Sequence, residues 1–140
     1  MKNVYYTDSW YTVSCTLEEF ILIMLTLGEP LEISLVGNFD KTRRGSRRDI
    51  ELPLHRDGQY SEELAKAQGG FYIENKNIDI VGLYCIRNDP LVKCITLVGD
   101  AEVELQKGQA LIFNNKKVLH GRKGQVGERL LLRFWIKKHE

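Results

Sequence analysis

The amino-acid sequence predicts one mainly β domain over residues 1–140, a β-sandwich or barrel with a single helix packed outside it. The chain of 140 residues is 43% hydrophobic and 28% charged, which suits one soluble domain with one core. Apolar residues at helical spacing occur in one segment near the N-terminus. Beyond it, short alternating or β-branched segments follow one another with turn residues between them, a pattern typical of sandwiches and barrels.

A single amphipathic helix is predicted at Leu17–Leu27. Thr16 and Glu19 have the spacing of a capping box, in which each side chain bonds the backbone N–H of the other residue. Apolar residues follow at helical spacing, and Gly28 and Pro30 end the segment. The apolar stripe predicts that the helix lies against a sheet.

Eight strands are predicted in the rest of the chain. They cover residues 31–36, 50–54, 70–73, 80–86, 94–98, 101–105, 110–113 and 130–136. The segments between them contain Asn, Asp, Gly and Pro, the residues that favour turns. Residues 61–67 are predicted as a short helix.

The charge balance gives no reason to expect nucleic acid or a membrane as partner. Twenty Lys and Arg residues face nineteen Asp and Glu residues, a net charge of +1. The longest apolar run, residues 20–27, is far shorter than a membrane span, and the N-terminus has no apolar core of a secretory signal. Three cysteines without CxxC spacing favour reduced thiols and a cytoplasmic protein.

One local charge cluster remains, at residues 41–48, where five of eight residues are basic. It is interpreted as a solvated loop because no aromatic residues alternate with the charges. A loop that contacts an anion or a nucleic acid is the alternative.

Histidine and aspartate form the most informative pattern. His55 and Asp57 are two residues apart, so on a strand their side chains point to the same face. His120 follows a predicted strand and a turn, and the third histidine, His139, lies at the charged C-terminus. Two histidines and one carboxylate match the facial triad of non-haem Fe(II) sites. Taken alone, the His-x-Asp segment is better explained by a surface turn, and His120 by an ordinary histidine at a sheet edge.

The last predicted strand has two different faces. One is apolar throughout, whereas the other carries Arg129, Leu131, Arg133 and Trp135. Guanidinium groups inside a barrel are costly without anionic partners, and a small dicarboxylate would supply them. The alternative is an edge strand whose arginines pair with Asp or Glu.

Several segments together resemble the taurine dioxygenase/clavaminate synthase-like family. They read LPLHRDGQYS, GLYCIR, ITLVGDAEVELQKGQALIFNN, VLHGR and ERLLLRFWI, within residues 27–136. The resemblance implies a cupin-like double-stranded β-helix (jelly roll) and an Fe(II)- and 2-oxoglutarate-dependent dioxygenase. Such an enzyme uses O₂ to hydroxylate or otherwise oxidise a small organic substrate, with release of succinate and CO₂.

The resemblance also implies roles for individual residues. His55, Asp57 and His120 match the iron ligands. Arg133 matches the arginine that binds the distal carboxylate of 2-oxoglutarate, Thr96 matches the threonine that assists it, and Arg129 matches a second arginine near the keto-acid end. The candidate substrate contacts are Tyr60, for which an ordinary packed position is the alternative, and Arg122.

The chain departs from the family pattern in one respect. Only 23 residues separate Thr96 from His120, where family members carry a long insertion that often supplies a lid. The expected pocket is therefore open, and a homodimer that places residues 1–15 or 38–48 of one chain over the other's metal would close it. The remaining alternatives are a cupin-type metalloenzyme that does not use 2-oxoglutarate and a non-catalytic β-barrel binding module acting through residues 41–48.

Overall fold

The computed structural model describes residues 2–6, 9–38, 51–58 and 77–139, with side chains described from residue 9 onward. These residues confirm the mainly β class and the predicted helix at Leu17–Leu27. The elements are β1 (Lys2–Tyr6), β2 (Trp10–Ser14), α1 (Leu17–Leu27), β3 (Gly28–Gly37), β4 (Leu52–His55), β5 (Ile80–Arg87), β6 (Cys94–Val98), β7 (Ala101–Val103), β8 (Gln109–Asn114), β9 (His120–Gly124) and β10 (Leu130–Lys138).

The strands form two antiparallel sheets. The larger has six strands in the order β1-β2-β8-β5-β10-β3, and the smaller has four in the order β4-β9-β6-β7. One hydrophobic cluster joins the two sheets: Val81, Leu111 and Trp135 from the large sheet and Val98 from the small one are all buried in it. The space between the sheets is therefore the main core of the described residues.

The helix covers the outer face of the large sheet, as its apolar stripe predicts. The capping box is present: the Glu19 N–H donates to Thr16 Oγ1 at 3.1 Å, and the Thr16 N–H donates to Glu19 Oε1 at 2.9 Å. Phe20 and Met24 are fully buried in a second cluster. Met24 lies directly over Gly82 of β5, where a Cβ atom would come within 2.5 Å of the methionine sulfur.

The predicted end of the helix at Gly28 is also confirmed, but no loop follows it. Strand β3 begins at Gly28 itself and pairs with β10 over its whole length. A side chain at Gly28 would collide with the Lys137 carbonyl oxygen of β10, so the close approach of the two strands there requires glycine.

Most predicted strands are present with shifted ends, and three strands are additional. Residues 94–98 form β6 as predicted, whereas β7 ends at Val103 rather than at residue 105. β1, β2 and β9 were not predicted. The predicted strand at 70–73, the predicted helix at 61–67, the start of the predicted strand at 50–54 and the basic segment 41–48 lie outside the described residues.

No helix in the described part of the chain is long and apolar enough to cross a membrane.

Candidate metal centre

The structure brings His55, Asp57 and His120 together between the ends of β4 and β9. His55 is the last residue of β4 and pairs directly with His120, the first residue of β9. Asp57 Oδ1 lies 3.3 Å from Nε2 of His55 and 3.3 Å from Nε2 of His120. One ligand atom from each residue lies within 4.8 Å of the other two, so the three side chains could hold a metal ion.

Asp57 does not reach this position by strand alternation, and that part of the prediction is wrong. β4 ends at His55, and Asp57 lies in the turn that follows, where Gly58 adopts a φ of 81°. The register of β4 against β9 also shifts: Leu52 pairs with Arg122 and His55 with His120, so two residues of β4, Pro53 and Leu54, oppose the single residue Gly121 of β9. This bulge turns the His55 side chain inward, and Leu54 beside it is 48% exposed.

Both imidazole rings present Nε2 to the site. His55 Nδ1 lies 2.7 Å from the Pro53 carbonyl oxygen, which fixes the proton on Nδ1 and leaves the lone pair on Nε2. The His120 ring packs against the rings of His55 and Phe113, with centroids 4.3 and 4.7 Å away. Its Nδ1 is buried without a hydrogen-bond partner among the residues that the structure describes.

The second oxygen of Asp57 has its own partners. Trp135 Nε1 donates a hydrogen bond of 2.8 Å to Oδ2, and Arg133 Nη1 lies 4.0 Å from the same oxygen. Burial raises the pKa of Asp57, but the neighbouring His120, His55 and Arg133 outweigh it and hold the pKa well below its usual range. Asp57 is therefore ionised at neutral pH.

The pKa of His120 is shifted in the direction that favours the neutral ring. Burial lowers the pKa of His120 more than the attraction of Asp57 raises it, so the ring is neutral at neutral pH. Metal binding requires an ionised carboxylate and neutral imidazoles. In an octahedral site with bonds near 2.1 Å, neighbouring ligand atoms are about 3.0 Å apart, close to the 3.3 Å that separates Asp57 Oδ1 from Nε2 of each histidine. The donor set of two imidazoles and one carboxylate suits a divalent metal such as Fe(II).

The two predicted arginines both lie inside the protein, in different surroundings. Arg129, which is 5% exposed, donates from Nη1 to Thr96 Oγ1 at 3.0 Å. Arg133 lies beside the metal site, stacks over the Trp135 ring at 4.6 Å, and has Nη2 3.5 Å from a Glu32 oxygen. Thr96 thus accompanies Arg129, whereas the resemblance led us to expect it beside Arg133.

Arg129 has no acidic partner in the described part of the chain. No described carboxylate lies within 4.0 Å of the Arg129 guanidinium. Among the described residues, its side chain is bonded only to the Thr96 hydroxyl. Desolvation lowers the pKa of Arg129, which shows how thoroughly its charge is removed from water. The expected alternative, arginines paired with acidic residues at a sheet edge, applies to Arg133 and Glu32 but not to Arg129.

The remaining site predictions have mixed outcomes. Arg122 follows His120 on β9, is 3% exposed and pairs with Thr96 across the small sheet. It therefore lies inside the protein near Arg129. Tyr60 and residues 39–48 lie outside the described residues, whereas most of residues 1–15, the other segment expected to bridge a homodimer, is described and forms β1 and β2 of the large sheet.

Three residues of the site were not predicted from the sequence. Trp135 was placed on the face with the arginines but not recognised as a partner of Asp57. Nothing in the sequence around Glu32 indicates that it lies beside Arg133, because this contact depends on the pairing of β3 with β10. Asn115 was interpreted only as a turn residue, yet its side chain is buried and bonds the backbone of Asp57.

No family model, curated protein or solved structure matches this chain.

Proposed function

We propose that this protein is an Fe(II)- and 2-oxoglutarate-dependent dioxygenase related to the taurine dioxygenase/clavaminate synthase-like family. The observation that carries the proposal is a buried arginine, Arg129, that has no acidic partner among the described residues and bonds Thr96 on β6, the strand that pairs with the His120 strand of the two-histidine, one-carboxylate site. A buried cation of this kind is stabilised by a bound anion.

The arrangement of the sheets supports a jelly roll. All pairings of the described strands are antiparallel; His55 and His120 lie on the small sheet with Asp57 in the turn after β4, while Arg133 lies on β10 of the large sheet and Arg129 directly precedes that strand. A co-substrate bound to both groups would lie between the sheets, as it does in a double-stranded β-helix.

We propose that Arg129 and Thr96 bind the distal carboxylate of 2-oxoglutarate. Thr96 lies two residues along β6 from Val98, which pairs with His120, and two strand residues span about 7 Å. A five-carbon dicarboxylate spans such a distance between a metal and an arginine. Arg133 lies nearer to the metal ligands and has Glu32 as partner, so we place it beside the keto-acid end and the substrate. The two arginines thus exchange the roles that the resemblance implies.

The residues of the chain would hold and orient the reactants. His55, Asp57 and His120 would occupy one face of the metal and leave the opposite face open. Trp135 and Arg133 fix the second oxygen of Asp57. Fe(II), when bound, would supply the redox chemistry by which O₂ and 2-oxoglutarate oxidise a small substrate, with release of succinate and CO₂.

An anaerobic titration tests this function directly. Fe(II)-loaded protein is titrated with 2-oxoglutarate while the visible metal-to-ligand charge-transfer absorption is recorded. We expect saturable absorption, and an apparent Kd that rises roughly 30-fold or more in Arg129→Met, since losing one partner of a desolvated charge pair costs about 2–5 kcal/mol. Arg87→Met, which removes an exposed arginine paired with Glu128, is the matched control and should bind like the wild type.

The outcome also separates the alternatives. A protein that binds Fe(II) but shows no 2-oxoglutarate absorption would be a cupin-type metalloenzyme of another kind. A protein that binds neither would favour a non-catalytic binding module. An Arg129→Met variant with wild-type affinity for 2-oxoglutarate would place the anion site elsewhere.

A further inference from the structure

Asn115 connects the metal-binding segments without touching the proposed metal. It lies in the turn between β8 and β9, five residues before His120, and is 2% exposed. Its Nδ2 group donates to the Asp57 carbonyl oxygen at 2.8 Å and to the Ile78 carbonyl oxygen at 3.1 Å. Its Oδ1 atom accepts from the Asp57 N–H at 3.0 Å. One buried amide thereby uses both of its donors and its acceptor.

Asp57 needs such support because no strand holds its backbone. The pairing of β4 with β9 ends at His55 and His120, and the chain turns at Gly58. The two backbone groups of Asp57 are instead paired with Asn115, 58 residues away in the sequence. The turn carrying Asn115 is itself anchored, since the Asn115 N–H donates to the Asp79 carbonyl oxygen at 3.0 Å.

We propose that Asn115 is a positioning residue, which holds the Asp57 backbone so that the carboxylate faces both imidazoles before the metal arrives. This inference rests on the metal centre of the proposed function. A ligand whose backbone is already fixed gives up little freedom on binding. Residues that orient metal ligands in this way typically account for about 10- to 100-fold in metal affinity. The same side chain links the turn before His120 to Asp57 and thereby sets their relative position.

The test compares two neighbouring asparagines in the full-length chain. Asn115→Ala removes all three side-chain bonds. Asn114→Ala is the matched control, since among the described residues the Asn114 side chain bonds only the Lys116 N–H in the same turn. Co(II) binding is measured by calorimetry, the Co(II) visible spectrum reports the coordination geometry, and circular dichroism of the metal-free proteins reports folding.

We expect Asn115→Ala to bind Co(II) at least tenfold more weakly than Asn114→Ala, with an altered Co(II) spectrum, while both metal-free variants are folded. Asn115→Asp keeps an acceptor for the Asp57 N–H and loses both donated bonds, so a loss of at least tenfold is expected there too. That variant decides the question if Asn115→Ala does not fold.

A folded variant with less than a tenfold loss, or with the spectrum of the control, would overturn the positioning role. Failure of the wild-type protein to bind Co(II) would instead overturn the metal centre itself.

Discussion

At the scale of single residues, the two buried arginines have opposite energetic roles. Arg133 partly neutralises Asp57 and Glu32, so its charge is compensated in the protein as it stands. Arg129 is bonded to a neutral hydroxyl and has no described acidic partner. An uncompensated buried charge costs free energy, so replacing it by an apolar side chain of similar size removes that cost, whereas removing one partner of a pair leaves the other charge buried and is destabilising.

We therefore expect Arg129→Met and Arg133→Met to differ in the metal-free protein. Arg129→Met should be at least as stable as the wild type, because an uncompensated cation is removed. Arg133→Met should lose about 1–3 kcal/mol, because Asp57 and Glu32 lose a partner. Urea unfolding at neutral pH measures both, and equal destabilisation of the two variants would contradict this distinction.

The sequence predicts the chemistry of the site better than its geometry. His55, Asp57, His120, Thr96 and both arginines are all brought into the interior between the sheets. The position of Asp57 could not be predicted from the sequence, because it depends on a β-bulge and on an asparagine 58 residues away. The pairing of Thr96 with Arg129 likewise depends on which residues of β6 and β10 face each other.

At the scale of elements, strong local sequence signals were sufficient to predict the ends of the helix and of β6. Other strands could not be predicted, because they form through tertiary pairing. The helix and β6 have the predicted ends, because capping, periodicity and β-branched residues coincide there. β9, with the sequence HGRKG, contains no β-branched residue and is a strand because β4 and β6 pair with its two edges. The aromatic-rich segment Trp10–Ser14 was not predicted as a strand, but it pairs with β8 over its whole length.

The contact between α1 and β5 makes a quantitative prediction. Gly82→Val places a branched side chain where Met24 lies, and overpacking of a well-packed core costs about 1–3 kcal/mol. The variant should unfold at a lower urea concentration, and much of the loss should be recovered in Gly82→Val/Met24→Ala, where space is available. Additive losses in the double variant would show that the helix does not pack on Gly82 as described.

At the scale of the whole molecule, stability should depend on pH through the metal centre. The folded metal-free protein keeps His120 neutral because its pKa is lowered by burial, whereas a histidine in the unfolded chain titrates near pH 6.5. As the pH falls below about 6.5, the unfolded chain takes up a proton that the folded protein does not. The free energy of unfolding should therefore decrease as the pH falls, by up to about 1.4 kcal/mol per pH unit for this group.

Asp57 affects the free energy of unfolding in a different pH range. Its pKa is lowered in the folded protein, so its contribution is present above the pKa of an unfolded aspartate, about 3.9, and is lost only as the pH falls through the lower folded value. Between pH 7.5 and 5.5 the change should come from histidine. Urea unfolding in EDTA over this range should show a smaller pH dependence in His120→Gln than in the wild type, and identical dependences would contradict the assignment.

The most direct measurement of the central claim is an anaerobic calorimetric titration of the full-length protein with Fe(II). We expect one ion per chain in the wild type, loss of binding in His120→Ala, and unchanged binding in His139→Ala, which removes an exposed histidine near the C-terminus. Each protein is titrated at neutral pH, where Asp57 is ionised and His120 is neutral. Binding that survives in His120→Ala but is lost in His139→Ala would contradict the site described here.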